Sequence, residues 1–506
     1  MMRKLFFTLF LRLFRLGKSA IPTSKKGLII ILIDGLGYEI LSQEIKKGHC
    51  SFLKSLIKKD RFQLMPYCCG VPAVTPATEA ELFFGNNTNI PSFTWYDRTL
   101  HHFVRGNNSE EIEKFENNLT AKEPLLLNGS CILGVYNAGA SQCSFSSKDS
   151  NVKKPFRTLK SFHVLLAVFF NPMRLTYTVY LVIKSILVGA YISAFKKSRR
   201  KFIPLVLESL SHSLLGNIAS YVAELELLRE TPILFIDYVL YDEFAHTYSI
   251  KSKMAKGTLR LIDWCCKSLV ESSKESERKY EVVIMSDHGQ TDSVVFEHKF
   301  KQSLVTFFSL ALQDPARTII KTQGKISNPQ IDGGKDVFLV PSGSMMHVYF
   351  SERFQNPYLL NEMMAKYPHL IDNLLKHPGV GWILVRETRD TQLLISASGS
   401  VQYKNGVVEK ITGAPFKEYY ISPEVLDSLA KYAKFNNNGD LVVIGNVKDG
   451  KVFAFEEQRS THGGFYGPMT EPFILTNNPA LLLALSKKAS MKELFSIIRQ
   501  TYKSHL

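Results

Sequence analysis

The chain has 506 residues, 45% of them hydrophobic and 21% charged. This is more chain than one ordinary core takes, and the composition is near the soluble globular average, which excludes disorder and a polytopic membrane protein and leaves a large α/β domain with insertions, or two to three domains. A formal net charge of +16 directs partners toward anions such as phosphorylated substrates or acidic lipid; with neither zinc-finger spacing nor an aromatic-interleaved basic stripe, no nucleic-acid role is expected.

Residues 1–26 open with a basic, apolar stretch in which Arg12 and Arg15 interrupt the clean hydrophobic run a signal peptide needs. It reads as an amphipathic membrane-surface segment. A first stretch of catalytic α/β core is expected over 27–150, beginning with the apolar run Leu28 to Ile33 before Asp34-Gly35. The same pattern returns at Ile233 to Ile236 before Asp237 and at Val282 to Met285 before Ser286-Asp287. Short apolar runs bounded by turn residues are the mark of strands buried on both faces of a parallel sheet, and ligands bind beyond the carboxyl ends of such strands. The expected fold class is therefore α/β, a doubly wound, mainly parallel sheet flanked by helices, with a helical insertion.

The segment Val74-Thr75-Pro76 through Gly85 has the grammar of a capped helix, with Thr75 at the N-cap and Pro76 at the first helical position. One reading is a capping threonine. The other takes the same geometry as chemistry: a hydroxyl at a helix N-terminus faces free N–H groups and a positive dipole end, which favour an alkoxide and a bound phosphoryl group. Downstream, Trp95 and Tyr96 are candidates to stack on the leaving group and Arg98 to pair with phosphate. The competing reading is an aromatic loop packed on the core.

An insertion is expected over 151–230. It carries Lys153, Lys154, Arg157 and Lys160, the apolar runs Val164 to Phe170 and Leu175 to Phe195, and a basic close from Lys196 to Lys201. The second run is long enough to span a bilayer, which takes roughly 20 residues. A single crossing, however, would put Asp34 and Thr75 on the opposite side from Asp242, Asp287 and His462. The expectation is an interfacial helix pair, with a buried cap as the alternative, meeting an anionic membrane surface through 1–26 and 161–201 and leaving the protein peripheral on the cytoplasmic side. Seven cysteines with no Cys-x-x-Cys pair favour a reducing compartment with unpaired thiols.

A second stretch of core is expected over 231–506, with a smaller insertion within about 295–455. In it Asp242 and His246 stand four apart and share a face if helical. Ser286-Asp287-His288-Gly289 ends a strand, and His462 lies in the glycine loop Thr461-His462-Gly463-Gly464. Two metal sites need about three nitrogen or oxygen ligands each, and carboxylates mixed with imidazoles suit zinc or a similar divalent ion.

Taken together, Ile33-Asp34-Gly35, Thr75 with Gly85 ten residues on, Asp242 to His246, Ser286 to Gly289, and His462-Gly463 resemble the type I phosphodiesterase/nucleotide pyrophosphatase family of the alkaline phosphatase superfamily, in order and in local spacing. The resemblance implies a phosphoester hydrolase with Thr75 as nucleophile and two divalent metal ions, Zn2+ with Mn2+ as the alternative. One metal would be held by Asp34, Asp287 and His288 and touch Thr75; the other would be held by Asp242, His246 and His462. It further implies in-line displacement through a phosphothreonine intermediate. Thr78 stands where many relatives carry asparagine and is a candidate phosphoryl stabiliser; Tyr241 stands where proline is usual. The basic, apolar insertion adds the expectation of a membrane-associated or lipid-linked substrate. Two alternatives accompany this reading: a phospho-headgroup transferase of the same superfamily, and a catalytically inactive membrane-surface scaffold.

Overall fold

A computed structural model describes residues 23–119, 124–144, 202–322 (backbone alone over 202–214), 334–417 and 420–503, with helical positions Thr176, Val179, Tyr180, Ile183, Ile186 and Leu187. Most of the N-terminal segment expected over 1–26, and most of the insertion up to residue 201, lie outside the described residues.

The strand Gly27–Ile33 is buried at every position, as its unbroken aliphatic sequence requires. It lies at the centre of a seven-stranded sheet in the order Gln63–Pro66, Phe473–Thr476, Tyr280–Met285, Gly27–Ile33, Ile233–Tyr238, Ser130–Ile132, Gln142–Ser144. Pairing is parallel along this order except that Phe473–Thr476 runs antiparallel to both of its neighbours. Side chains alternate between two cores. Ile29, Ile31 and Ile33 pack against helices that supply Leu41, Leu53, Ala219 and Leu259. Leu28, Ile30 and Leu32 face the other way, against Ala77, Leu481 and Leu494. Each such aliphatic contributes about 1.5–3 kcal/mol by burial. This is the doubly wound arrangement: parallel strands buried on both faces under helices, with their carboxyl ends aligned along one edge.

Between Tyr280–Met285 and Phe473–Thr476 the chain builds a second sheet of eight strands, from Thr318–Lys321 at one edge to Val407–Gly413 at the other. Only its first pair is parallel; the rest are antiparallel. A two-stranded hairpin, Thr94–Asp97 with His102–Arg105, joins the two bodies. Its alternation sends Trp95 into the core of the first sheet and Tyr96 into a cluster with Phe338, Val340 and Tyr349 of the second. Among the described residues no helix is long and apolar enough to cross a membrane.

Candidate active site

Two neighbouring parallel strands deliver acids to one edge. Asp34 follows Gly27–Ile33, and Asp287 follows Tyr280–Met285 on the neighbouring strand. Gly35 turns the chain with φ +70, and a Cβ there would come within 2.3 Å of Asp242 Oδ1. Only glycine lets the Asp34 turn and the Asp242 helix approach this closely. The Gly35 N–H donates to Asp287 Oδ1 (3.1 Å), and the Leu36 N–H donates to Ser286 Oγ (3.0 Å), so the two strand ends brace each other.

Asp242 and His246 lie on the helix Leu240–Tyr248, in its first and last turns, where the helix dipole favours an acid and a cation respectively. His462 comes from the loop after Ser460–Thr461. That loop is fixed by paired backbone bonds between Ala73 and Gly463, two residues before Thr75. The result is two triads of convergent donors, Asp34 with Asp287 and His288, and Asp242 with His246 and His462; within each triad the ligand atoms lie within 4.8 Å of one another. The His288 and His462 rings stack at 3.9 Å between centroids, which sets the triads side by side.

The imidazoles share one orientation. Nδ1 of His246 faces the Ser460 carbonyl (2.7 Å), Nδ1 of His462 the Ala73 carbonyl (2.8 Å), and Nδ1 of His288 the Gly289 carbonyl (3.1 Å). A carbonyl only accepts, so each Nδ1 carries the proton and each Nε2 is turned toward the carboxylates, the second-sphere arrangement of metal-binding histidines. Burial pushes the His288 imidazole down to about 4 and, with the neighbouring His288, that of His462 down to about 3. Both are therefore neutral at neutral pH, with Nε2 presenting a lone pair. The lone pair of His288 stands 3.1 Å from Asp287 Oδ2, which is buried and accepts no hydrogen bond. Two acceptors facing at that separation fit a cation held between them, and the donor set fits a divalent ion.

The carboxylates carry the same message. Burial, reinforced by the charges of Asp287 and Asp242, pushes Asp34 well above the usual carboxylate range, and burial also raises Asp287. Asp242 behaves oppositely: burial opposes its ionisation, but the His246 charge and hydrogen bond outweigh this and hold it down, while Asp242 lifts His246 to about 9. Negative charge is concentrated here beyond what the side chains themselves offset.

Thr75 begins the helix Thr75–Phe84, which ends at Gly85 in the left-handed conformation. Its hydroxyl does not cap the helix. It lies 3.4 Å from Asp34 Oδ1 and 3.3 Å from His288 Nε2, at the edge of the first triad. Thr78 is buried, and its hydroxyl donates to the Asp287 carbonyl (3.4 Å), so the side chain braces the strand end.

The substrate wall expected of Trp95, Tyr96 and Arg98 is corrected by their positions. Trp95 is 0% exposed. Tyr96 stacks on Phe354 at 3.9 Å. Arg98 donates to the backbone carbonyls of Phe354, Arg353, Asn436 and Asn438, which leaves its guanidinium no free edge for phosphate. These residues join the two sheets. A residue that sequence reasoning passed over is Gln290, whose amide donates to Asp242 Oδ1 (2.5 Å) and to the Asp242 carbonyl (3.2 Å). The one available signal was a polar side chain directly after a strand-end Asp-His-Gly turn.

The acid–imidazole cluster sits at the carboxyl edge of the parallel sheet, where doubly wound α/β enzymes bind their ligands. The family model for type I phosphodiesterase/nucleotide pyrophosphatase matches residues 28–351, well over half of the chain, and the chain belongs to that family. It is a phosphoester hydrolase of the phosphodiesterase/pyrophosphatase type, a family typically dependent on divalent metal ions. No curated protein sequence matches the chain. Among solved structures, a phosphonoacetate hydrolase from Sinorhizobium meliloti 1021, in complex with phosphonoformate, aligns with 95% of this chain and 96% of its own at 13% identity and a TM-score of 0.49. Murine ectonucleotide pyrophosphatase/phosphodiesterase 5 aligns with 94% of this chain and 95% of its own at 11% identity and a TM-score of 0.47.

Proposed function

We propose that the protein cleaves a phosphoester through a covalent phosphothreonine on Thr75, at a centre holding two divalent metal ions, zinc by the mixed carboxylate and imidazole donors. The observation that carries this reading is the Thr75 hydroxyl, turned away from its own helix toward Asp34 and His288. Asp34, Asp287 and His288 would hold one ion, and Asp242, His246 and His462 the other. When bound, the ions supply positive charge that offsets charge developing on the phosphoryl oxygens. Thr75 Oγ forms the new bond to phosphorus as the bond to the leaving alcohol breaks, and water then cleaves the phosphothreonine. The N-terminus of the Thr75–Phe84 helix favours the anionic group. The backbone carbonyls of Ser460, Ala73 and Gly289 keep each imidazole in the tautomer the site needs.

A lipid-linked substrate at an anionic membrane is part of this proposal. Val179, Tyr180, Ile183, Ile186 and Leu187 recur at helical spacing, each between 44% and 64% exposed, in a segment flanked in sequence by basic runs. Residues of the assembled site precede and follow that segment, so the chain returns to the side it left. The test pairs turnover of bis(4-nitrophenyl) phosphate by the zinc-loaded full chain with sedimentation on anionic vesicles. Turnover that survives Thr75→Ala would overturn the covalent step; no sedimentation would remove the membrane.

A further inference from the structure

The two triads share a support that the chemistry above does not use. Asp287 and His288 belong to one triad. Two residues after His288, just before the strand Thr291–Val295, stands Gln290, 1% exposed. Its backbone is held on both sides: the Gly289 N–H donates to the Met469 carbonyl (2.9 Å), and Thr291 pairs with Thr461, the residue before His462. From this fixed base Gln290 reaches into the other triad. Its Nε2 donates to both Oδ1 (2.5 Å) and the backbone carbonyl (3.2 Å) of Asp242.

An amide that bridges a carboxylate and the carbonyl of the same residue fixes that side chain relative to its own helix. With Oδ1 engaged by the amide, Oδ2 of Asp242 lies 3.0 Å from His246 Nε2. The turn after Asp34 closes the remaining side: a Cβ on Gly35 would come within 2.3 Å of Asp242 Oδ1 and 2.8 Å of Gln290 Nε2. Packing alone does not account for a glutamine here. Its Oε1 is buried and has no partner among the described residues, and leaving a buried acceptor unsatisfied is costly. A methionine of similar length would fill the same volume without that penalty. What the glutamine adds is its N–H donors. A lysine or arginine would also orient Asp242, but its charge would offset the negative charge that attracts a metal ion; the neutral amide orients the carboxylate and leaves that charge in place.

We propose that Gln290 is a positioning residue for the centre formed by Asp242, His246 and His462. It holds the Asp242 carboxylate in the orientation that faces the two imidazoles, so affinity for the ion of that triad depends on it. Affinity for the ion of Asp34, Asp287 and His288 does not. This role rests on the two-metal reading of the site.

The test strips the full chain of metal, titrates it with zinc against a chromogenic chelator, and records thermal unfolding of the metal-free form. The parent should bind two equivalents. In Gln290→Met one equivalent should weaken by roughly 10–100-fold and the other by less than about twofold. The metal-free melting temperature should not fall. In an Asp242→Ala background the same substitution should leave the remaining zinc affinity unchanged, because its effect runs through Asp242. A parent with two equivalents and a Gln290→Met variant with both affinities intact overturns the role of Gln290 while the two-metal reading stands, and a lowered melting temperature would then mark the residue as structural. A parent that binds fewer than two equivalents overturns both. If Gln290→Met does not fold, Gln290→Ala removes the amide without crowding its neighbours, and unchanged zinc affinity there is equally fatal.

Discussion

The two large sheets of this chain are built on opposite plans and do different work. In the first, strands contiguous in space come from Gly27–Ile33, Ile233–Tyr238 and Tyr280–Met285, and their parallel course brings distant acids to one edge. In the second, neighbours are mostly hairpin-related and antiparallel, and the sheet contributes no member of either triad. Parallel pairing needs long crossovers, and those crossovers give catalytic residues room to converge. The antiparallel body supplies bracing: its turn at Gly343 presses on the catalytic loop, where a Cβ would come within 2.2 Å of the His462 carbonyl.

Substitutions can break or sharpen this division. The largest effect is expected at the carboxyl edge of the parallel sheet, where Thr75→Ala should lower kcat on a chromogenic diester by roughly 10³–10⁶-fold with zinc content unchanged. A Thr75→Ala protein that lost its zinc would show the hydroxyl to be structural. Next comes the hairpin between the sheets. Tyr96→Ala should cost about 3–5 kcal/mol in denaturant unfolding, the range for emptying a buried aromatic site, with KM unmoved; a raised KM at unchanged stability would return Tyr96 to the substrate. Gly35→Ala should push Asp242 aside and weaken one of two zinc equivalents by roughly 10–100-fold in chelator competition, the size of effect seen when support around metal ligands is disturbed.

The smallest effect belongs to the helical layer on the far face of the parallel sheet. Glu44 pairs with His49 at 2.5 Å and Lys47 at 3.0 Å. Burial pushes its carboxyl up, but these partners outweigh burial and hold it below its ordinary value of 4.5. Its stabilisation is therefore present above the unfolded-state value and lost as pH falls through the lower folded-state value. Glu44→Gln should cost about 1–2 kcal/mol at pH 7. Melting curves of variant and parent should converge on acidification below about pH 4; a gap that persisted there would assign the loss to packing.

The triads were legible in the sequence because each ligand stands in a short motif whose local geometry is almost self-contained: an acid ending a buried strand, an acid and an imidazole four apart on a helix, an imidazole in a glycine loop. What Trp95 and Tyr96 do was not legible in this way. Adjacent residues on a strand face opposite sides, and which core each side meets depends on a sheet formed more than two hundred residues later. Thr75 shows a subtler limit, since capping and chemistry demand the same residue at the same place. Only the direction of its hydroxyl separates them.

The hairpin of Thr94–Asp97 and His102–Arg105 follows the nucleophile's helix closely in the chain, and it is anchored on both sides by aromatic rings. It therefore acts as a mechanical tie between the module that makes and breaks bonds and the one that does not. An excised first sheet would keep every ligand and lose the anchorage that holds them in register, so shortening this protein to its chemically active half should yield a chain with the right residues and no reliable place to put the ions.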